Sequence, residues 1–374
     1  MSRCSFLRSL AAILIAAIFL PAAYADGSYG EHRQHKAVFV MTNSADRNEI
    51  AVFARDSDGT LSFDYRVATG GRGSGGNVDP LQSQGSLLLS EDHSLLFAAN
   101  AGTGDISVFR VEGAELALVQ RVPSGGSSPV AIAQHGRLLY VLNDGGNDNV
   151  VGFTIEHGGH LVRIQNSLAL LSNNDAGASG LALSPDGQFL AVTERLNGII
   201  DIFHVQANGT LSTAKTSASN GAGVFSVLFA PNGALLVTEA ASSSISSYAV
   251  QADGSLTTIS NSVSTFGAAT CWHGITPDGR FTYTSNSASA SISGYSIGNQ
   301  GSLTPLGGTV VGTNPTGSAN LDIAITTDGK FLYTLNSGTG SIGMFAIQKD
   351  GQLNNLGTVG GLPAKAGLNG IAAN

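Results

Sequence analysis

Seven times along this 374-residue chain a β-branched residue is followed three places on by an aromatic, and a short turn then leads to a leucine. The copies are Ile50/Phe53/Leu61, Ile106/Phe109/Leu116, Val150/Phe153/Leu161, Ile200/Phe203/Leu211, Ile245/Tyr248/Leu256, Ile292/Tyr295/Leu303 and Ile342/Phe345/Leu353. Successive aromatics are 56, 44, 50, 45, 47 and 50 residues apart. One four-stranded blade per copy explains such a spacing, whereas a helix pair or a βαβ unit does not. The chain therefore reads as all-β: a seven-bladed β-propeller of four-stranded antiparallel blades.

The fourth copy shows how one blade is written. Leu181-Ala182-Leu183 reads as a buried strand, Pro185-Asp186-Gly187 as a turn, and Phe189 to Thr193 as a second strand. Ile199 to Val205 reads as a third strand, Asn208-Gly209 as a hairpin turn, and the segment starting at Leu211 as the fourth strand. The first unit starts at Ala37-Val38-Phe39-Val40 without an innermost strand, and Gly367 to Ala372 looks like the missing one. A C-terminal strand joining the N-terminal blade would leave no open edge in the ring, so removing the last eight or so residues should unfold it.

Repeats run almost end to end, which favours one propeller domain over 37–374, preceded by a linker at 26–36. Residues 1–25 read as a signal peptide: Arg3 and Arg8 precede an apolar run from Leu10 to Leu20, and Ala23-Tyr24-Ala25 supplies a small-x-small cleavage site. Export to the periplasm or outside follows, and the apolar run is too short for a membrane span. Loss of two arginines and no acid moves the formal charge from −8 to −10, a poor surface for nucleic acid. Only Cys271 remains in the mature chain, where it reads as a buried small residue.

One end of the ring gathers the polar candidates, because the start of each inner strand and the end of the next share a face. Asn43, Asn100, Asn143, Glu194, Glu239, Asn286 and Asn336 mark that return, and the five asparagines read as hairpin caps bonding their own backbone. Glu194 and Glu239 replace a neutral cap by a charge. The bland reading makes them solvated hairpin residues, Glu194 paired with Arg195; the functional one makes Glu194, Glu239, His273 and Arg195 a catalytic set. Two carboxylates with a histidine suffice to activate water on an ester carbonyl, and Arg195 would stabilise the oxyanion. His273 equally reads as structural packing. Trp272, Asp322 and Asn143 are the candidate ligand contacts, with Trp272 as an exposed platform for a sugar or other ring.

Other motifs lack context. Gly71-Arg72-Gly73-Ser74-Gly75-Gly76 matches a dinucleotide fingerprint in letters, but no helix follows, and it reads as a flexible loop in the insertion that lengthens the first step. Asn143-Asp144 with Asn147-Asp148-Asn149 offers oxygen ligands for Ca²⁺, yet glycine-rich turns use these residues anyway. No metal and no cofactor is expected.

The segments "LALSPDGQFLAVTERLNGIIDIF", "GITPDGRFTYTSNSASASISGYSI" and "YVLNDGGNDNVVGFTI" resemble the lactonase family of seven-bladed propellers, which includes bacterial 6-phosphogluconolactonases and fungal carboxymuconate-lactonizing enzymes. Tyr140-Val141-Leu142-Asn143 and Tyr333-Thr334-Leu335-Asn336 also resemble the YVTN repeats of cell-surface proteins. The lactonase resemblance implies an active site of one histidine and two arginines near the starts of inner strands, with a glutamate on a neighbouring hairpin. Here Ser179 stands at the histidine position, Phe225 and Leu321 at the arginine positions, and Glu239 one residue before the glutamate position. Two functions follow. One is an exported hydrolase or cyclase acting on a small-molecule lactone; the other is a non-catalytic propeller binding a carbohydrate ligand or a protein partner.

Overall fold

The computed structural model describes residues 36–374, so the signal-peptide and cleavage-site readings lie outside the described residues. Seven antiparallel sheets of four main strands make the ring. The first sheet places Ile371–Ala373 innermost, followed by Lys36–Met41, Glu49–Arg55 and Leu61–Ala68. Val38, Phe39 and Val40 pair with Ala373, Ala372 and Ile371. Met41 N–H donates to Gly370 O at 3.0 Å and Ala37 N–H to Asn374 Oδ1 at 2.6 Å, so the two ends of the described chain are tied in one ladder.

Blade four runs Ala178–Leu183, Phe189–Glu194, Ile199–His204 and Lys215–Ala218. Its outer strand begins later than the sequence suggests. Ser212 bonds both backbone groups of His204, its Oγ accepting from His204 N and its N–H donating to His204 O, and only a single bridge joins Leu211 to Val205. The serine hydroxyl takes a ladder position that a backbone carbonyl would fill, and pairing resumes at Lys215 opposite Ile202. The inner turns at Asp92, Asp186, Asp278 and Asp328 follow one recipe: in blade four Asp186 Oδ1 accepts from Ser184 Oγ and Gln188 N–H, while Gly187 takes φ +69°.

The seven repeat aromatics are all buried, none more than 2% exposed. Burying each stabilises the ring by roughly 1.5–3 kcal/mol before entropy is counted. Blades five, six and seven start at Val224–Phe229, Thr270–Ile275 and Asn320–Ile325; blades two and three start at Leu87–Leu89 and Pro129–His135.

Residues 69–86, between blades one and two, do not form the flexible loop expected of their glycines. Segment 72–86 is a strap across the mouth of the ring. It meets blade one through Gly367 N–H to Asn77 O at 2.5 Å and Asn369 Nδ2 to Asp79 Oδ1 at 3.1 Å. Ser83 Oγ donates to Val130 O in blade three and Gln84 N–H to Ser179 O in blade four. Trp272 Nε1 of blade six donates to Ser83 O at 2.9 Å, and Ser337 Oγ, after blade seven's second strand, to Val78 O at 2.8 Å. Partners on opposite sides of the axis force the strap to lie over it.

Candidate functional site

The seven return positions are buried without exception. Asn100 shows what the asparagines do: Nδ2 donates to Asp105 Oδ1 and Ser107 Oγ, and Oδ1 accepts from Thr69 Oγ1. The amide therefore ties its own hairpin to the connection that enters its own blade. It is not the local backbone cap expected, because its side chain points into the blade rather than back along the turn.

Glu194 and Glu239 take the same place with one more carbon of reach. Glu239 accepts five hydrogen bonds: from Ser246 Oγ, Gly221 N–H and Ser219 Oγ on Oε1, and from Ser244 Oγ and Ser262 Oγ on Oε2. Glu194 also accepts five, from the backbone and side chains of Ser172 and Asn173 and from Asn197 Nδ2. Neither is a solvated hairpin residue. Burial pushes the Glu194 carboxyl up, but its hydrogen bonds outweigh that and hold it below the ordinary value. The proton goes instead to Asp201, which burial and the adjacent Glu194 push up to about 7.

His273 is wholly buried, its Nδ1 2.6 Å from Ser226 Oγ and its Nε2 without a partner among the described residues. Burial lowers the ring to about 3, so it is neutral. Trp272 is likewise buried rather than an exposed platform. Its ring meets Phe225 edge to face, 5.0 Å between centroids, and its N–H holds the strap. The sequence signal misled because the insertion that covers Trp272 comes from a distant blade. Asn143 donates to Asn149 Oδ1 inside blade three. Asp144 and Asp148, weighed as Ca²⁺ ligands, accept from the backbone N–H of Ala178 and Ala176.

Arg195 alone of the predicted catalytic set reaches the mouth. It is half-buried, its backbone N–H donates to Gly177 O, and its Nε has no partner among the described residues. Its charge acts on Asp79 of the strap, on Asp144 and on Cys271. Burial pushes Asp79 up to about 6, partly offset by Gln82 N–H, Arg195 and Asn369. Both hydrogen bonds land on Asp79 Oδ1. Burial holds the Cys271 thiol near 12, so it stays protonated. Asp79 was missed because it sits in the insertion, where no repeat aligns it to a face.

Asp322 lies below the strap, buried, its Oδ1 accepting from Ile323 N–H at 2.9 Å. Burial is the main cause that pushes it up to about 7. It lines a cavity of about 430 Å³ that runs down the axis of the ring.

Seven blades thus ring an axial channel that the strap covers at the mouth, and no helix among the described residues is long and apolar enough to cross a membrane. The chain belongs to the lactonase family of seven-bladed β-propellers, whose model matches residues 31–173, 131–271 and 224–320. A Bacteroides uniformis protein provisionally assigned as a 6-phosphogluconolactonase is 21% identical, with a TM-score of 0.69 over 91% of this chain and 100% of its own. A Lactobacillus plantarum protein gives 0.71 at 18% identity, over 90% and 98%. The Pseudomonas aeruginosa periplasmic gluconolactonase PpgL gives 0.66 at 18% identity, over 90% and 99%. No curated protein matches the chain.

Proposed function

We propose that this lactonase-family propeller is exported and opens a lactone ring at the strap-covered mouth, with Arg195 and Asp79 as the reacting pair. The observation that carries this reading is that Arg195, a cation whose Nε has no partner among the described residues, is near enough for its charge to act on a strap carboxyl whose two hydrogen bonds both fall on Oδ1. Asp79 ionises near neutral pH, where a general base is most effective. It takes a proton from water as the water oxygen bonds to the lactone carbonyl carbon. Arg195 stabilises the oxyanion, the ring C–O bond then breaks, and the released alkoxide takes up a proton. Glu194, Glu239 and His273 serve by holding the hairpins and inner strands that carry the mouth. A single arginine there favours neutral or singly charged lactones over phosphorylated ones.

A non-catalytic propeller binding a glycan or a protein is the second reading. It is favoured by the three family positions: Ser179, Phe225 and Leu321 are neutral and buried, with Ser179 Oγ donating to Phe225 O. Proton release by the mature protein, 26–374, over neutral, carboxylated and phosphorylated lactones separates the two. Hydrolysis above spontaneous opening, rising with pH through about 6 and falling about 100-fold or more in Asp79→Asn and Arg195→Gln, supports the enzyme. Folded protein that releases no proton from any of them overturns it.

A further inference from the structure

The channel that the strap shuts at one end is open at the other. Inner strands run from the mouth to the far face, so Gln84 of the strap and Asp322 lie at the blind end, while Ser90 and Thr327 lie at the open one. Between them the wall is aliphatic and aromatic. Leu89, Leu183, Phe229 and Ile325, from blades two, four, five and seven, are only half-buried, which leaves apolar surface facing a narrow tube. Neither lysine nor arginine is among the described residues lining it.

We propose that this channel is a second binding site, entered from the face opposite the mouth, for a small uncharged molecule with an apolar body and one hydrogen-bonding end. A volume of about 430 Å³ falls within the range of small-molecule sites. The half-buried wall residues gain by losing water to an apolar ligand. Asp322 supplies the polar end; the Gln84 amide beside it is held by blade six, its Nε2 donating to His273 O and its Oε1 accepting from His273 N–H. The two backbone partners of Asp322, Ile323 and Ile371 N–H, are both donors, so in its acid form its own O–H is what a ligand oxygen would accept. The charges that bear on this end are Asp322 itself and Asp79 across the strap; Glu91 and His93 stand at the open end. Arg195 offsets Asp79 across the strap, but no cation lines the channel beside Asp322, so an anionic head group is disfavoured there once Asp322 ionises.

Calorimetric titration of the mature protein with octanamide and with octanoate, at pH 5.5 and 8.5, tests this. Octanamide is expected to bind saturably at one site at both pH values. Octanoate, whose acid form is still present at pH 5.5 and nearly gone at pH 8.5, should bind at the lower pH and weaken at least about tenfold at the higher. Leu183→Trp fills the channel and should abolish both; Ile325→Phe serves the same purpose should the larger residue prevent folding. Absence of saturable octanamide binding, or binding that survives a folded channel-filling variant, overturns the proposal.

Discussion

Blades five and six contain the same hairpin, with Glu239 at its return in one and Asn286 in the other, both wholly buried. Asn286 donates to Ser293 Oγ, which in turn donates to Thr265 O on the incoming connection. Glu239 needs no relay: it accepts directly from Ser219 Oγ and Gly221 N–H of its own incoming connection. The difference follows from donor inventory. An amide both donates and accepts, so its Nδ2 can reach a carbonyl of the connection through a serine relay, whereas a carboxylate only accepts, so the connection must turn N–H and O–H groups towards it. A charge on a propeller hairpin is thus compatible with a purely structural role when the neighbouring chain is rich in serine and glycine.

Glu239→Ala should break the comparison most severely, since it strands the five donors at once; a loss of about 3–5 kcal/mol, read by denaturant unfolding, is expected. Glu239 acting on substrate instead would leave the stability of Glu239→Ala near wild type. Asn286→Ala strands fewer and weaker partners and should cost about 2 kcal/mol. Blade four sharpens the contrast by pH. Asp201 titrates higher folded than unfolded, so the folded chain holds its proton more tightly; its stabilising share is complete below about pH 4 and fades as pH rises through about 7. Thermal melts between pH 4 and 8 should show that fall, and Asp201→Asn should flatten it. Asp79 and Asp322, raised likewise, keep a remaining slope of the same sign, which His273, lowered by burial, opposes below about pH 6.5. Trp272→Phe, which removes one of three strap bonds of blade six and leaves a small void where the indole packed, should cost about 1–2 kcal/mol by the same measurement.

Blade count, the closing strand and the polar face were legible because each rests on a repeated signal: seven aromatics, seven return positions, and one unit lacking its inner strand. What the repeats do not carry was not legible. Asp79 has no counterpart in other blades, and the burial of Trp272 depends on Ser83, 189 residues earlier. Glu194 and Glu239 stood out correctly as exceptions, but their surroundings come from serines and asparagines that look like ordinary loop composition. Arg195 was legible only as the neighbour of Glu194, because the strap carboxyl on which its charge acts comes from the insertion.

Repeat rings usually behave as chains of nearest neighbours, in which one unit loosens at the expense only of the two beside it. A strap bonded to blades one, three, four, six and seven changes that arithmetic. Opening any of them pulls on a segment shared by blades it never touches, so disorder at one rim is transmitted across the diameter. Such a ring should come apart as one cooperative unit, and local breathing near the mouth should be rarer than at the far face.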